Sequence, residues 1–222
     1  MLAIPAKRAS QTIVTFLTDP EAEALLAAPD RATRTGRRDH AWIQLAIQTG
    51  LRASELTALT RGDVHLGAGA YVACHGKGRK DRITPLTPAT VTILRAWLAE
   101  HAAEPDAPLF PASHGGSLSP DALQQRLTVH AATAAHASPA LADKKITPHV
   151  LRHTAAMRLL HAGVDITVIA LWFGHESVNT THIYLAADLA LKEQALNRTT
   201  PLGGTPGRYR PPDNLLAFLE AL

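Results

Sequence analysis

The stretch TPHVLRHTAA, residues 147–156, opens a helix: Thr147 stands at the cap and Pro148 follows at the first helical position. On that helix His149, Arg152 and His153 lie three and four residues apart and share one face. Ala156 and Leu160 continue the face as an apolar stripe. A stripe that starts with two imidazoles and a guanidinium asks for a chemical reason. The start of a helix offers unpaired amides and the positive end of its dipole, a natural seat for an anion. A forked guanidinium and an imidazole placed there turn that seat into a phosphate site with directed donors.

Outward from this stretch the punctuation is regular. Asp19-Pro20 starts one amphipathic helix, and the apolar spacing of RRDHAWIQLAIQTG (residues 37–50) predicts another, closed by Gly50 as a left-handed cap. RASELTAL (residues 52–59) is a third, short helix. The pattern then changes to DVHL, AYVACHG and DRITPL, short runs broken by glycines, which predict a small antiparallel sheet with the cation-rich turn GKGRKD (residues 76–81). Thr87 with Pro88 and Ser119 with Pro120 cap two further helices on either side of a loop over residues 104–118, and Asp165 to Gly174 forms a short one. Residues 176–197 are mostly helical by pattern. The proline- and glycine-rich RTTPLGGTPGRYRPP is a linker to the terminal helix DNLLAFLEAL (residues 213–222). Helices, then three strands, then helices predict a mostly α domain with one small three-stranded antiparallel sheet, an α+β fold.

Composition narrows the classes. The 222 residues are 46% hydrophobic, enough for a real core, and contain no membrane-length apolar run or signal segment. A single cysteine, Cys74, excludes an intramolecular disulfide framework and suits a reducing, cytoplasmic setting. A net charge of +3 is compatible with a polyanionic partner without requiring one. Taken separately, Arg52 with Glu55 reads as a surface ion pair, and Lys77, Arg79 and Lys80 as a soluble hairpin tip. His149 and His153, with His175 and His182, also have a spacing that could grip zinc; Arg152 beside them would repel the metal.

TGLRASEL, HGKGRKDRITPL, HVLRHTAA and FGHESVNTTHIY, in this order, resemble the signature boxes of the tyrosine recombinases, the phage-integrase and Xer-like family. The resemblance runs from about Leu17 to Tyr184. It implies the tyrosine-recombinase catalytic-domain fold, with Arg52, Lys77, His149, Arg152 and His175 as catalytic residues and Tyr184 as nucleophile. Glu55 and His153 would be supporting residues, and Phe173 stands where leucine is usual. It implies no metal and no nucleotide cofactor. Duplex DNA would be the partner, cut and rejoined through a 3′-phosphotyrosine, by a homotetramer on DNA that is monomeric in free solution. A truncated DNA-binding remnant that only nicks or relaxes DNA is the alternative. Residues 1–16 are expected to be a short tail, 17–198 the catalytic domain, and 199–222 a linker and helix that could be exchanged between protomers. The family's N-terminal core-binding domain is not expected in this chain, so that an N-terminal domain or accessory protein would act in trans. Base-reading side chains are expected on the helix from Ser119 and around Lys144 and Lys145.

Overall fold

The computed structural model describes residues 14–75, 81–100 and 103–174. The chain divides into two compact units, Met1–Ala187 and Asp188–Leu222, and every described residue belongs to the first. Seven α-helices are described: α1 (Asp19–Ala27), α2 (Arg34–Thr49), α3 (Ala53–Ala58), α4 (Pro88–Ala99), α5 (Pro120–Ala134), α6 (Pro148–His161) and α7 (Ile166–Phe173). Between α3 and α4 the strands β1 (Val64–His65), β2 (Tyr71–His75) and β3 (Asp81–Pro85) form one antiparallel sheet in the order β1-β2-β3. The predicted mostly α fold with a three-stranded sheet is therefore what is found. Among the described residues no helix is long and apolar enough to cross a membrane.

The ends of the elements follow the local chemistry. Thr33, Thr87, Ser119 and Thr147 each accept a hydrogen bond from an amide in the first turn of their helix, and Pro88, Pro120 and Pro148 occupy positions where no amide donor is needed. α2 is the central helix. Ala41, Trp42, Ile43, Leu45, Ala46 and Ile47 are all buried, which leaves little of its middle facing water. It packs against α4 on one side and α6 on another, while α1 packs on α5.

One buried carboxylate fixes α5 to α2. Asp39 is fully enclosed and accepts from Arg38 Nη2 at 2.9 Å, Trp42 Nε1 at 3.0 Å, and the side chain of Arg126; His130 Nε2 lies 2.8 Å from it. Burial alone would raise its pKa, but the His130 hydrogen bond and the Arg38 and Arg126 charges prevail and hold it below the usual carboxylate value. The network holds the middle of α5 against α2, and the start of the same helix borders the site described below.

Gly50 and Gly174, just past α2 and α7, are both left-handed, with φ 65° and 60°. At Gly50 the shape constraint is severe as well, because a Cβ would stand 2.1 Å from Phe173 Cε1. We expect Gly50→Ala to cost at least about 1–2 kcal/mol from the left-handed backbone alone, with displacement of the Phe173 ring added. Urea unfolding measures this, and an unchanged midpoint would contradict the close approach.

Candidate active site

Three sequence boxes meet at the start of α6. Arg52 sits between the Gly50 turn and α3, and its side chain is 48% exposed. His149 and Arg152 lie in the first two turns of α6. With Ala53, Pro120, Asp121, Gln124, Thr147 and Pro148 these three residues line an open cleft of about 400 Å³. The cleft faces the N-terminus of α6, where amides and dipole favour an anion. His175 and Tyr184, and Lys77 in the β2–β3 turn, lie outside the described residues, as does His182 of the zinc alternative. Among the described residues no three His, Cys, Asp or Glu side chains gather to hold a metal ion.

Arg152 is 4% exposed. Its Nη1 donates to the Gly50 carbonyl at 2.6 Å and its Nη2 to the Phe173 carbonyl at 2.9 Å, with the guanidinium carbon 4.6 Å from the centre of the Phe173 ring. The Trp172 indole adds a bond of 3.1 Å to the Thr49 carbonyl. One side chain thus joins the turn before Arg52, the first turns of α6 and the end of α7. Phe173, the departure from the family's usual leucine, supplies an aromatic face for that cation.

Glu55 is not the surface partner that sequence suggested. Its side chain is 8% exposed, and its carboxylate takes the amide of Arg52 at 2.8 Å and Arg52 Nη1 at 2.9 Å. Arg82 Nη1 and Nη2 donate to it at 2.9 and 2.7 Å. Burial works to raise this carboxyl, but the Arg82 hydrogen bonds and the Arg52 amide outweigh it and bring the pKa down to about 2. Arg82 was missed on sequence because it sits in a cation-rich hairpin. The available signal was its register: it pairs with buried Cys74, whereas its neighbour Ile83 points to solvent.

The two imidazoles of α6 pack edge to face, with ring centres 4.1 Å apart. His149 is held below its usual pKa by partial burial and by the nearby Arg152 and Arg52 charges. His153, more enclosed, is lowered to about 4 by burial, His149 and Arg152. Both are therefore neutral near pH 7, so His149 can accept a proton. Of the pair considered for reading bases, Lys144 is already committed: its Nζ donates to Glu21 Oε2 at 2.7 Å and to the Phe16 carbonyl at 3.1 Å. Lys145 is exposed.

A basic cleft at a helix N-terminus, on a mostly helical domain with a three-stranded sheet, defines an anion-handling site of the kind that the signature boxes implied. The family model of the phage integrases matches residues 15–190, and the chain belongs to that family. A Sinorhizobium fredii protein named as an integrase/recombinase is 54% identical over 222 residues, which is 100% of this chain and 67% of its own length. The tyrosine recombinase XerD of Pseudomonas putida is 33% identical over 192 residues, 84% of this chain and 62% of its own. Among solved structures, XerH recombinase in a post-cleavage complex with a palindromic difH substrate matches with TM-score 0.71 and 25% identity, over 86% of this chain and 55% of that one. The chain thus spans about two thirds of the length of the curated relatives it matches.

The depressed pKa values give the stability a defined acid dependence. An unfolded histidine binds its proton near pH 6.5 and His153 near 4, so stability falls as pH drops through that interval. Glu55, at 4.5 unfolded and about 2 folded, removes more between those values. We expect denaturant unfolding across a pH series to show both losses. His153→Gln should reduce the loss in the upper interval, to which His149 also contributes, and Glu55→Gln with Arg82→Met should reduce the loss in the lower one, to which Asp39 also contributes. Undiminished stability of the parent protein down to pH 2 would contradict both assignments.

Proposed function

We propose that this chain is the catalytic domain of a site-specific DNA recombinase, which cleaves and rejoins strands through a 3′-phosphotyrosine. The observation that carries the proposal is the single cleft lined by Arg52, His149 and Arg152. Tyr184 is the nucleophile in this reading. Its phenol oxygen bonds to the scissile phosphorus while the bond from phosphorus to the 5′ oxygen breaks.

The proton balance uses two groups. Neutral His149 takes the phenol proton, which a tyrosine with an ordinary pKa near 10 does not release unaided; such help typically contributes roughly 10²–10⁴-fold. Lys77 gives a proton to the departing 5′ oxygen. Charge grows on the non-bridging oxygens as the new bond forms, and Arg52 and Arg152 stabilise it, with His175 donating to one of those oxygens. The bond energy stays in the phosphotyrosine ester, so a second 5′ hydroxyl can attack it and restore an intact strand. The chemistry requires no metal.

Duplex DNA is the substrate, consistent with the DNA-bound state in which XerH was solved. Exchange between two duplexes calls for four such domains acting in pairs through a Holliday junction. The terminal helix DNLLAFLEAL docking on a neighbouring protomer is one way to join them. Binding by this domain alone rests largely on phosphate contacts and should weaken steeply as salt rises.

A pool of nicked duplexes with a randomised central segment tests the proposal, because the nick lets the cleaved end diffuse away and traps the intermediate. With EDTA present, we expect a covalent protein–DNA adduct on a denaturing gel from the parent chain and none from Tyr184→Phe. An adduct that persists in Tyr184→Phe would overturn the nucleophile assignment, and no adduct from any member of the pool would overturn the catalytic proposal. Strand joining between two marked copies of a recovered duplex then separates recombination from nicking or relaxation.

A further inference from the structure

Glu55 lies against the arginine that faces the proposed phosphate, and a third residue determines what that carboxylate does. Arg82 occupies the inner face of β3, opposite Cys74. Its two terminal nitrogens take one Glu55 oxygen each, at 2.9 and 2.7 Å, across 27 positions of sequence. This fork-to-fork arrangement is the strong, directional form of an arginine–carboxylate pair. Arg52 Nη1 shares Glu55 Oε1 at 2.9 Å. Arg82 is enclosed, with 13% of its side chain exposed, whereas Arg52 is nearly half exposed and lines the cleft. Two guanidiniums around one carboxylate leave a net positive charge, and the geometry puts that charge on the exposed arginine. Without Arg82, the buried carboxylate would have Arg52 as its cation, and a phosphate would have to compete with Glu55 for the same guanidinium. Gly174 packs against the other side of Arg82, where an added Cβ would lie 3.4 Å from Nη1, so the fork is confined between α3 and the end of α7.

We infer that Arg82 is a positioning residue for strand cleavage: by occupying both oxygens of Glu55, it keeps the positive charge of Arg52 available to the scissile phosphate. The inference rests on the proposal that Arg52 contacts that phosphate. It differs from a purely structural role in one respect. The effect of Arg82 must depend on the negative charge of the non-bridging oxygens.

The test uses the full chain and a nicked duplex recovered from the pool described above. The same duplex is also made with a methylphosphonate at the scissile position, where a methyl group replaces one non-bridging oxygen and removes the charge. We expect Arg82→Met to slow adduct formation on the phosphodiester by roughly ten- to a hundredfold, less than the 10²–10³ typical when a direct oxyanion donor is removed. The methylphosphonate, neutral in the ground state and with a single non-bridging oxygen on which charge can grow, should lose far less. Arg82→Met combined with Glu55→Gln should recover most of the phosphodiester rate, because the neutral amide no longer competes for Arg52. This double variant also replaces a buried ion pair without stranding a charge, so it reports even if the single variant folds poorly. An equal loss on both substrates, no loss on either, or no recovery in the double variant would overturn the inference. Arg52→Ala separates it from the reading beneath it. If Arg52→Ala is selectively slow on the phosphodiester and Arg82→Met is not, only the role of Arg82 falls. If Arg52→Ala cleaves both substrates at the parent rate, or no duplex in the pool yields an adduct, both fall together.

Discussion

The guanidinium of Arg152 binds two backbone carbonyls at once, and the geometry of the site depends on that bond pair. The carbonyls belong to Gly50 and Phe173, at the C-terminal ends of α2 and α7, where the last oxygens of a helix have no partner within it. A cation there also meets the negative end of both helix dipoles. Both helix ends turn through left-handed glycines, and the turn at Gly50 redirects the chain toward Arg52. Lysine would bring one point charge on a flexible stem in place of the planar fork that here sends a separate nitrogen to each oxygen. Leaving either one buried and unpaired costs about 1–3 kcal/mol. The same side chain borders the cleft, so the residue that assembles the turns also belongs to the cleft's lining.

Charge elsewhere in the domain is handled by the same logic. Asp39 and Glu55 are enclosed carboxylates, and each is surrounded by more than one cation. At Asp39 the result is structural, a clamp between α2 and α5. At Glu55 the surplus of positive charge lies beside the cleft. The imidazoles of α6 remain neutral for a related reason, because burial and the neighbouring guanidiniums both disfavour a further positive charge. A neutral imidazole and two guanidiniums can therefore share a small volume without the imidazole being lost to protonation.

Much of this was legible in the sequence because the signals are local. Thr147 with Pro148, the glycines at 50 and 174, and the glycine-broken runs around β2 each fix a boundary through the backbone preference of one or two residues. The common face of His149, Arg152 and His153 followed from helical spacing alone, and the ordered boxes gave the family. The partners of those residues were not legible. Arg152 with Gly50 spans 102 positions, Asp39 with His130 spans 91, and Glu55 with Arg82 spans 27. No local pattern encodes such pairs. Glu55 looked like one half of an exposed i,i+3 pair because helical spacing places it beside Arg52, whereas its burial is set by β3, which arrives later in the chain. Lys144 looked free for DNA for the same reason, with Glu21 more than a hundred residues away.

Amide hydrogen exchange in Arg152→Lys, compared with the parent chain in the absence of DNA, tests the central claim most directly. The substitution keeps the positive charge and removes the fork. The account predicts faster exchange at Gly50, Arg52 and Gly174, the hydrogen-bonded amides within two residues of the two bonded carbonyls, with the middle of α2 and α6 protected as before. Unchanged protection at those three amides would show that the turns hold their shape without Arg152, and would contradict the claim that its guanidinium assembles the site.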